Sequence, residues 1–139
     1  MPTVAGYELL EHTADLGIRA WAPTAPEAFE HAAWALAEIM GIEVPGPGTH
    51  RTVQASATDE PGVLVAFLNE LIWLHEAESV GFAEIDVIAA SDQDLIAEIE
   101  TVTLQEEPGG LGVKAATYHQ LEVGRRPGAG VEVRVFLDV

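Results

Sequence analysis

Apolar residues recur along this chain with two different periods, and that alternation limits the fold more than any other feature. Runs with strand character cover residues 7–12, 16–21, 51–57, 81–88, 95–104, 118–123 and 131–139. Two further stretches repeat at helical spacing, one after Thr24 and one after Thr58 or Asp59. Most neighbouring strands are joined by short turns. The sequence therefore predicts an α+β fold of mostly antiparallel strands packed with two helices, and not a doubly wound parallel sheet.

Both predicted helices carry start signals. Thr24-Ala25-Pro26-Glu27 has the form of a capping box, and Gly41 follows the last apolar residue of that stretch. The second helix has Pro61 in its first turn, where a missing amide costs little. Its apolar residues form two adjacent stripes, so we expect it to pack broadly against a sheet.

Length and composition predict one domain over residues 1–139. The chain has 139 residues, 48% of them hydrophobic, and neither a repeat nor a dividing linker. It has no cysteine, which removes disulfides, thiolate metal sites and cysteine nucleophiles and fits a reducing compartment. Its start lacks the pattern of a signal peptide, and no run approaches the ~20 apolar residues of a spanning helix. We therefore expect a cytoplasmic protein without a membrane partner.

The formal net charge of −17 opposes direct binding to nucleic acid or anionic lipid. Its distribution is uneven, because residues 1–113 contain 2 basic and 20 acidic side chains, whereas residues 114–139 contain 4 and 3. Any surface that tolerates an anion should therefore belong to the last 26 residues. The high hydrophobic content argues against disorder despite this charge.

No nucleophile motif is present. The serines are Ser56, Ser79 and Ser91, and none lies in a Gly-x-Ser-x-Gly elbow. Residues 109–114 are glycine-rich but lack the Gly-Lys-Ser/Thr ending of a phosphate-binding loop. We therefore expect no catalytic residue and interpret the protein as a non-enzyme.

Two of the five histidines occupy positions suited to function. His31 and His75 lie in predicted helices and His50 lies beside a Pro/Gly loop, where an ordinary structural role is the simplest interpretation. His12 and His119 lie at predicted strand ends beside hydroxyl or carboxylate residues, where sheets present functional groups.

Two carboxylates stand apart from the acidic background. Asp15 ends a tight turn between apolar strands, where an Asx turn accepting backbone amides is the favoured interpretation. Asp138 lies one residue before the α-carboxylate of Val139. If the first and last strands were neighbours, these groups would form a cluster of hard oxygen ligands suited to Ca²⁺ or Mg²⁺.

Three ordered motifs resemble those of the archease family. They are His12-Thr13-Ala14-Asp15-Leu16-Gly17, Lys114-Ala115-Ala116-Thr117-Tyr118-His119 and the ending Phe136-Leu137-Asp138-Val139. The resemblance extends over essentially the whole chain and includes helical segments at Glu27-Ala28-Phe29 and Leu68-Asn69-Glu70-Leu71. It differs at residues 105–112, which form a short, glycine-rich segment where family members often carry a longer charged one.

The resemblance implies a non-catalytic activator of an RtcB-type RNA ligase in tRNA splicing or RNA repair. Such an activator promotes guanylylation of the ligase's active-site histidine by GTP and permits multiple turnover. The resemblance also implies a divalent metal, usually calcium with Mg²⁺ or Mn²⁺ as alternatives, at Asp15, Asp138 and Val139. The motifs supply the candidate partner-binding or site-supporting residues, which are His12, Thr13, Lys114, Thr117, Tyr118 and His119.

Two other functions stay open at this point. One is a metal-dependent hydrolase or nuclease in which Asp15, His12 and Asp138 activate water. The other is a calcium-stabilised adaptor for a different partner. Turnover of RNA or nucleotide by the protein alone would favour the first, and metal binding without an effect on an RNA ligase would favour the second.

Overall fold

The computed structural model describes residues 5–11 and 16–139. In that part of the chain the elements are β1 (Gly6–Glu11), β2 (Leu16–Ala22), α1 (Ala25–Met40), β3 (Thr49–Ser56), α2 (Glu60–Glu78), β4 (Val80–Ala90), β5 (Asp94–Thr103), β6 (Ala115–Arg126) and β7 (Gly130–Asp138). No helix among these residues is long and apolar enough to cross a membrane.

The strands form two antiparallel sheets, one in the order β1-β2-β7-β6 and one in the order β3-β5-β4. Both helices contact strands of both sheets, so the core lies where the helices meet them. The predicted α+β fold with two helices is confirmed. The first and last strands are not neighbours, as the metal-site hypothesis had required, because β2 lies between β1 and β7; the last strand instead pairs with the second one, which begins directly after Asp15.

Helix α1 begins and ends at the predicted residues. Thr24 is the N-cap, and its Oγ1 accepts a hydrogen bond from the Glu27 amide at 3.4 Å and donates one to Glu27 Oε1 at 3.0 Å. Gly41 ends the helix in the left-handed region with φ 70°, where glycine carries no side-chain penalty.

Helix α2 is capped by Asp59, the second of the two predicted candidates. The Asp59 carboxylate accepts from the Gly62 amide at 2.8 Å, and Ser79 ends the helix with φ 54°. The two predicted apolar stripes are buried, and their members are Val63, Leu64, Phe67, Leu68, Leu71, Ile72 and Leu74. A helix that is apolar over so wide a face needs cover on several sides, which the two sheets provide.

The main correction to the predicted elements concerns β6. The strand begins at Ala115, three residues before the predicted start, and continues to Arg126, so that the predicted loop over residues 124–130 shrinks to a short turn. Pairing with β7 accounts for both ends, since Ala115 pairs with Asp138 and Arg126 with Gly130. Main-chain pairing with β7 thus makes β6 longer than the alternating residues 118–123 from which the strand was predicted.

Two contacts fasten other parts of the fold to α1. The Tyr7 hydroxyl donates to Glu38 Oε2 at 2.5 Å, and this bond, together with burial, raises the pKa of Tyr7 to about 12. In the segment of residues 105–112, the Leu111 amide donates to the Ile39 carbonyl at 2.8 Å. The glycine-rich segment is therefore attached to the end of α1.

Candidate functional site at one end of the larger sheet

The candidate site lies where β2 and β6 begin and β7 ends. Leu16 pairs with Leu137, and Ala115 pairs with Asp138. The Lys114 amide donates to the Asp138 carbonyl at 2.7 Å. The second and third sequence motifs are thus brought together, and the described end of the first motif lies beside the third.

Three of the predicted site residues, His12, Thr13 and Asp15, lie outside the described residues. Asp15 is bonded to Leu16, whose partner Leu137 directly precedes Asp138. Leu16 and Leu137, which adjoin the two candidate metal-binding aspartates in sequence, are therefore paired across the sheet.

Asp138 and Val139 are both exposed at the end of β7, with 49% of Val139 accessible. Among the described residues, the Asp138 carboxylate has neither a hydrogen bond nor an ion pair. Carboxylate and main-chain oxygens are the hard ligands that Ca²⁺ and Mg²⁺ take. No group of three His, Asp or Glu side chains that could hold a metal ion occurs within residues 5–11 and 16–139.

Strand β6 departs from regular pairing inside its own motif. Thr117 pairs with Phe136, and the next pair is Glu122 with Arg134, so three additional residues bulge out on β6. Thr117 Oγ1 donates to the Phe136 carbonyl at 3.1 Å and accepts from the His119 amide at 3.3 Å. Gln120, within the bulge, has φ 53°. The Thr117 side chain thus stabilises the start of the bulge through these two hydrogen bonds.

The bulge presents two of the predicted residues at the surface. Tyr118 is 67% exposed, and its hydroxyl lies toward Gly62 at the start of α2. The His119 ring meets the Phe136 ring edge to face, with centroids 6.2 Å apart and an angle of 69°. Tyr118 and His119 are therefore available to a partner, while Thr117 acts within the fold.

The glycine of the first motif has a packing role. Gly17 lies opposite Phe136 in the register, and a Cβ added to Gly17 would lie 2.7 Å from Phe136 Cε1. Phe136 is only 3% exposed although its neighbours on that face of β7 are charged. Because Gly17 has no side chain, the Phe136 ring fits against β2, and from there it contacts the His119 ring.

Lys114 is exposed and lines a groove of about 750 Å³ that the segment of residues 105–112 shares with the end of α2. His75 and Glu76 line the same groove. His75 Nδ1 lies 2.9 Å from the Val80 carbonyl, so this nitrogen carries the proton. His75 thus has a structural role, as its helical position suggested.

Arg125 and Arg126, near the end of the chain, form ion pairs with glutamates at the surface. Arg125 makes two hydrogen bonds of 2.6 Å to the Glu60 carboxylate, and Arg126 lies 3.1 Å from Glu132. Arg19, on the same face as Glu132, pairs with it and with Glu8. Two of the four basic residues of 114–139 are therefore paired with glutamates, which leaves less free positive charge to attract a polyanion.

Sequence reasoning passed over Asn69, whose carboxamide contacts the main chain of Ala116. A signal for it existed, because an asparagine between Leu68 and Leu71 interrupts an otherwise apolar helix and is a poor helix former.

These features define a small α+β domain in which the second and third motifs, with the described end of the first, lie where β2 and β6 start and β7 ends. The family model described as the Archease protein family matches residues 7–139. A relative from Methanosarcina mazei, named protein archease, is 33% identical over 140 residues, covering 96% of this chain and 95% of that protein. A second, from Pyrobaculum neutrophilum, is 36% identical over 128 residues and covers 86% of each chain. The chain belongs to the archease family.

Solved structures agree with the fold. The solution structure of protein 1598 from Methanobacterium thermoautotrophicum has a TM-score of 0.76 at 27% identity, over 96% of this chain and 99% of that one. The crystal structure of a Thermotoga maritima protein, described as an archease and possible chaperone, has a TM-score of 0.67 at 20% identity, over 95% and 96%. At that identity, the second likeness bears on the fold alone.

Proposed function

We propose that this protein is a non-catalytic cofactor of an RtcB-type RNA ligase. It promotes transfer of the guanylyl group from GTP to the active-site histidine of the ligase and so permits repeated turnover in tRNA splicing or RNA repair. Membership of the archease family supports the proposal. The surface features of the site supply the residues through which it would act.

The observation that carries the proposal is the register between β2, β7 and β6. It brings Asp138 next to Ala115 and pairs Leu16, the neighbour of Asp15, with Leu137. The second and third motifs, together with the described end of the first, thus lie at one exposed end of the sheet. Because the sequence contains no nucleophile motif, we interpret this end of the sheet as a surface that binds a partner and not as a reaction centre.

A divalent metal, most simply Ca²⁺, fits the oxygen ligands at this end of the sheet. Asp15, the Asp138 carboxylate and an oxygen of Val139 would hold it, and Asp138 has no competing partner among the described residues. When bound, the ion would supply positive charge beside the ligase's nucleotide, where the GTP α-phosphate is attacked. Tyr118 and His119 would contact the ligase, with Lys114 at the edge of the neighbouring groove.

The charge of the body suits a protein partner better than RNA. A net charge of −17 repels polyphosphate, and Arg125 and Arg126 are already paired with glutamates. We therefore expect the ligase to hold the RNA while this protein addresses the ligase.

The direct test is a time course of ligase guanylylation with GTP, with and without this protein. Asp138→Asn should abolish the stimulation and weaken Ca²⁺ binding measured by calorimetry, while the circular dichroism spectrum stays unchanged. Asp92→Asn is the matched control, because it removes one carboxylate from an exposed turn between β4 and β5.

Full stimulation by the Asp138→Asn variant would contradict the proposal. Turnover of RNA or nucleotide by the protein alone with Mg²⁺ or Mn²⁺ would instead favour a metal-dependent hydrolase using Asp15, His12 and Asp138. Calcium binding by a wild-type protein that leaves the ligase unaffected would favour an adaptor for another partner.

A further inference from the structure

Asn69 on α2 binds both main-chain polar groups of a single residue on β6. The Ala116 amide donates to Asn69 Oδ1 at 2.8 Å, and Asn69 Nδ2 donates to the Ala116 carbonyl at 3.4 Å. Asn69 is half-buried and Ala116 is 4% exposed. The carboxamide thus offers Ala116 the same donor and acceptor that a neighbouring peptide would.

This arrangement matters because β6 is an edge strand. In the order β1-β2-β7-β6, only β7 lies beside it, and every second residue of β6 turns its amide and carbonyl away from β7. Such groups are costly when buried without a partner, about 1–3 kcal/mol each. At Ala116, Asn69 supplies the donor and the acceptor that a further strand would otherwise provide.

The position of Ala116 connects this contact to the candidate site. Ala116 lies two residues after Lys114 and two before Tyr118. Regular pairing with β7 stops at Thr117, where the bulge begins. On one side this segment is held by the bond from the Lys114 amide to the Asp138 carbonyl, and on the other side by Asn69.

The chemistry of the side chain is specific to asparagine. Aspartate would accept from the Ala116 amide but would set a negative oxygen against the Ala116 carbonyl. Alanine would satisfy neither group. Asn69 also sits between Leu68 and Leu71, both buried, so its amide reaches β6 from within a packed helix face. Such surroundings hold its rotamer and make it a precise fixed point.

We infer that Asn69 is a positioning residue for the functional end of β6. By clamping Ala116, it fixes the segment that presents Lys114, Tyr118 and His119 and that borders Asp138. The link to activity rests on the function proposed above, whereas the clamp itself is a property of the fold.

Amide hydrogen exchange followed by NMR tests the clamp without reference to activity. In Asn69→Ala, the Ala116 amide should exchange roughly fivefold to tenfold faster than in the wild type, as expected for loss of one hydrogen bond of about 1 kcal/mol. In Asn69→Asp, which keeps the acceptor, the Ala116 amide should stay protected. An unchanged Ala116 exchange rate in Asn69→Ala would overturn the inference.

Arg125→Met is the matched control for the effect on activity. It also breaks a link between α2 and β6, the one from Glu60 to Arg125, but at the far end of the strand. We expect Asn69→Ala and Asn69→Asp to lower the maximal stimulation of ligase guanylylation at least fivefold, with Arg125→Met near wild type after correction for the folded fraction. Equal losses in the alanine and methionine variants would reduce Asn69 to a stability residue and overturn the positioning role.

The two proposals fail in different ways. If the wild-type protein does not stimulate the ligase, the proposed function is wrong, and the Ala116 exchange rate still decides whether Asn69 clamps β6. If stimulation is normal in Asn69→Ala although Ala116 exchanges faster, the proposed function stands and the positioning role falls.

Discussion

Glu30 on α1 is a half-buried carboxylate that accepts a hydrogen bond from the Val87 amide of β4 at 3.0 Å. Burial raises its pKa, the hydrogen bond from Val87 lowers it, and the carboxylates of Asp86 and Glu27 raise it further. The folded protein therefore holds the Glu30 proton more tightly than the unfolded chain does. The ionised form costs stability above the folded pKa, and that cost disappears as the pH falls below the unfolded pKa.

Glu30→Gln should therefore raise the free energy of unfolding at pH 7.5, because glutamine keeps the acceptor for Val87 and cannot ionise. We expect a gain of about 0.3–0.5 kcal/mol, since solvent screens the charge of a partly exposed group. The gain should shrink as the pH falls from 7.5 through the raised folded pKa toward the ordinary pKa of glutamate, about 4.3. Urea unfolding across that range measures it.

Glu107→Gln is the control for the loss of charge alone, because Glu107 is exposed in the segment of residues 105–112. A gain of the same size and pH dependence in that variant would show that Glu30 reports only the net charge of the molecule.

The burial of a side chain that contacts two distant strands is hard to predict from sequence. Phe136 shares a face of β7 with the charged Glu132 and Arg134, yet it is buried, because Gly17 and His119 cover it from other strands. The alternation of a strand defines which face a side chain takes. It does not define what covers that face.

The segment of residues 105–112, which is neither helix nor strand, is attached to α1 at a specific point. A Cβ on Gly110 would lie 2.3 Å from the carbonyl carbon of Met40 and 2.4 Å from the Gly41 nitrogen. No flexible side chain there can move aside, since both atoms belong to the main chain. The glycine thus permits the segment to lie directly on the end of α1.

Gly110→Ala should lower the free energy of unfolding by about 1–3 kcal/mol, the usual cost of overpacking. Gly112→Ala, two residues further on, should leave it within about 0.5 kcal/mol, because nothing lies within 4 Å of an added Cβ there. Urea denaturation of both variants measures the difference. Equal stabilities would mean that the segment is not held against α1.

The helices were predictable because their signals are local. Thr24, Gly41 and Asp59 act within one turn of the helix ends they cap, and the apolar stripes need only helical spacing. The early start of β6 was not, because Ala115 and Ala116 owe their strand conformation to pairing with β7 and, in the case of Ala116, to Asn69.

At the scale of the whole molecule, acidic residues repel one another in the folded state. Screening should relieve that repulsion, so we expect the free energy of unfolding to rise as NaCl increases from 10 to about 200 mM. KCl should have the same effect if screening is general. A fall in stability with salt would instead show that ion pairs such as Arg51 with Glu78 outweigh the repulsion.

The α+β class followed from the pattern of strands and helices, whereas the partnership of β2 and β7 did not. Hairpins join strands that are near in sequence, and no local signal identifies a partner more than 100 residues away. The motifs of the resemblance singled out Asp138, Lys114 and Tyr118 as candidates, and the pairing of β6 with β7 explains why Lys114 and Asp138 lie side by side.

The pairing of β2 with β7 also has a consequence for how the protein is made. During synthesis β2 leaves the ribosome early and has no partner on its inner side until β7 follows, so the larger sheet cannot close along the way. Pairing over such a distance is slow to nucleate, because the entropy of closing the chain is lost before the contact forms. The end of the sheet that carries the candidate site can therefore form only after β7 has been synthesised and has paired with β2.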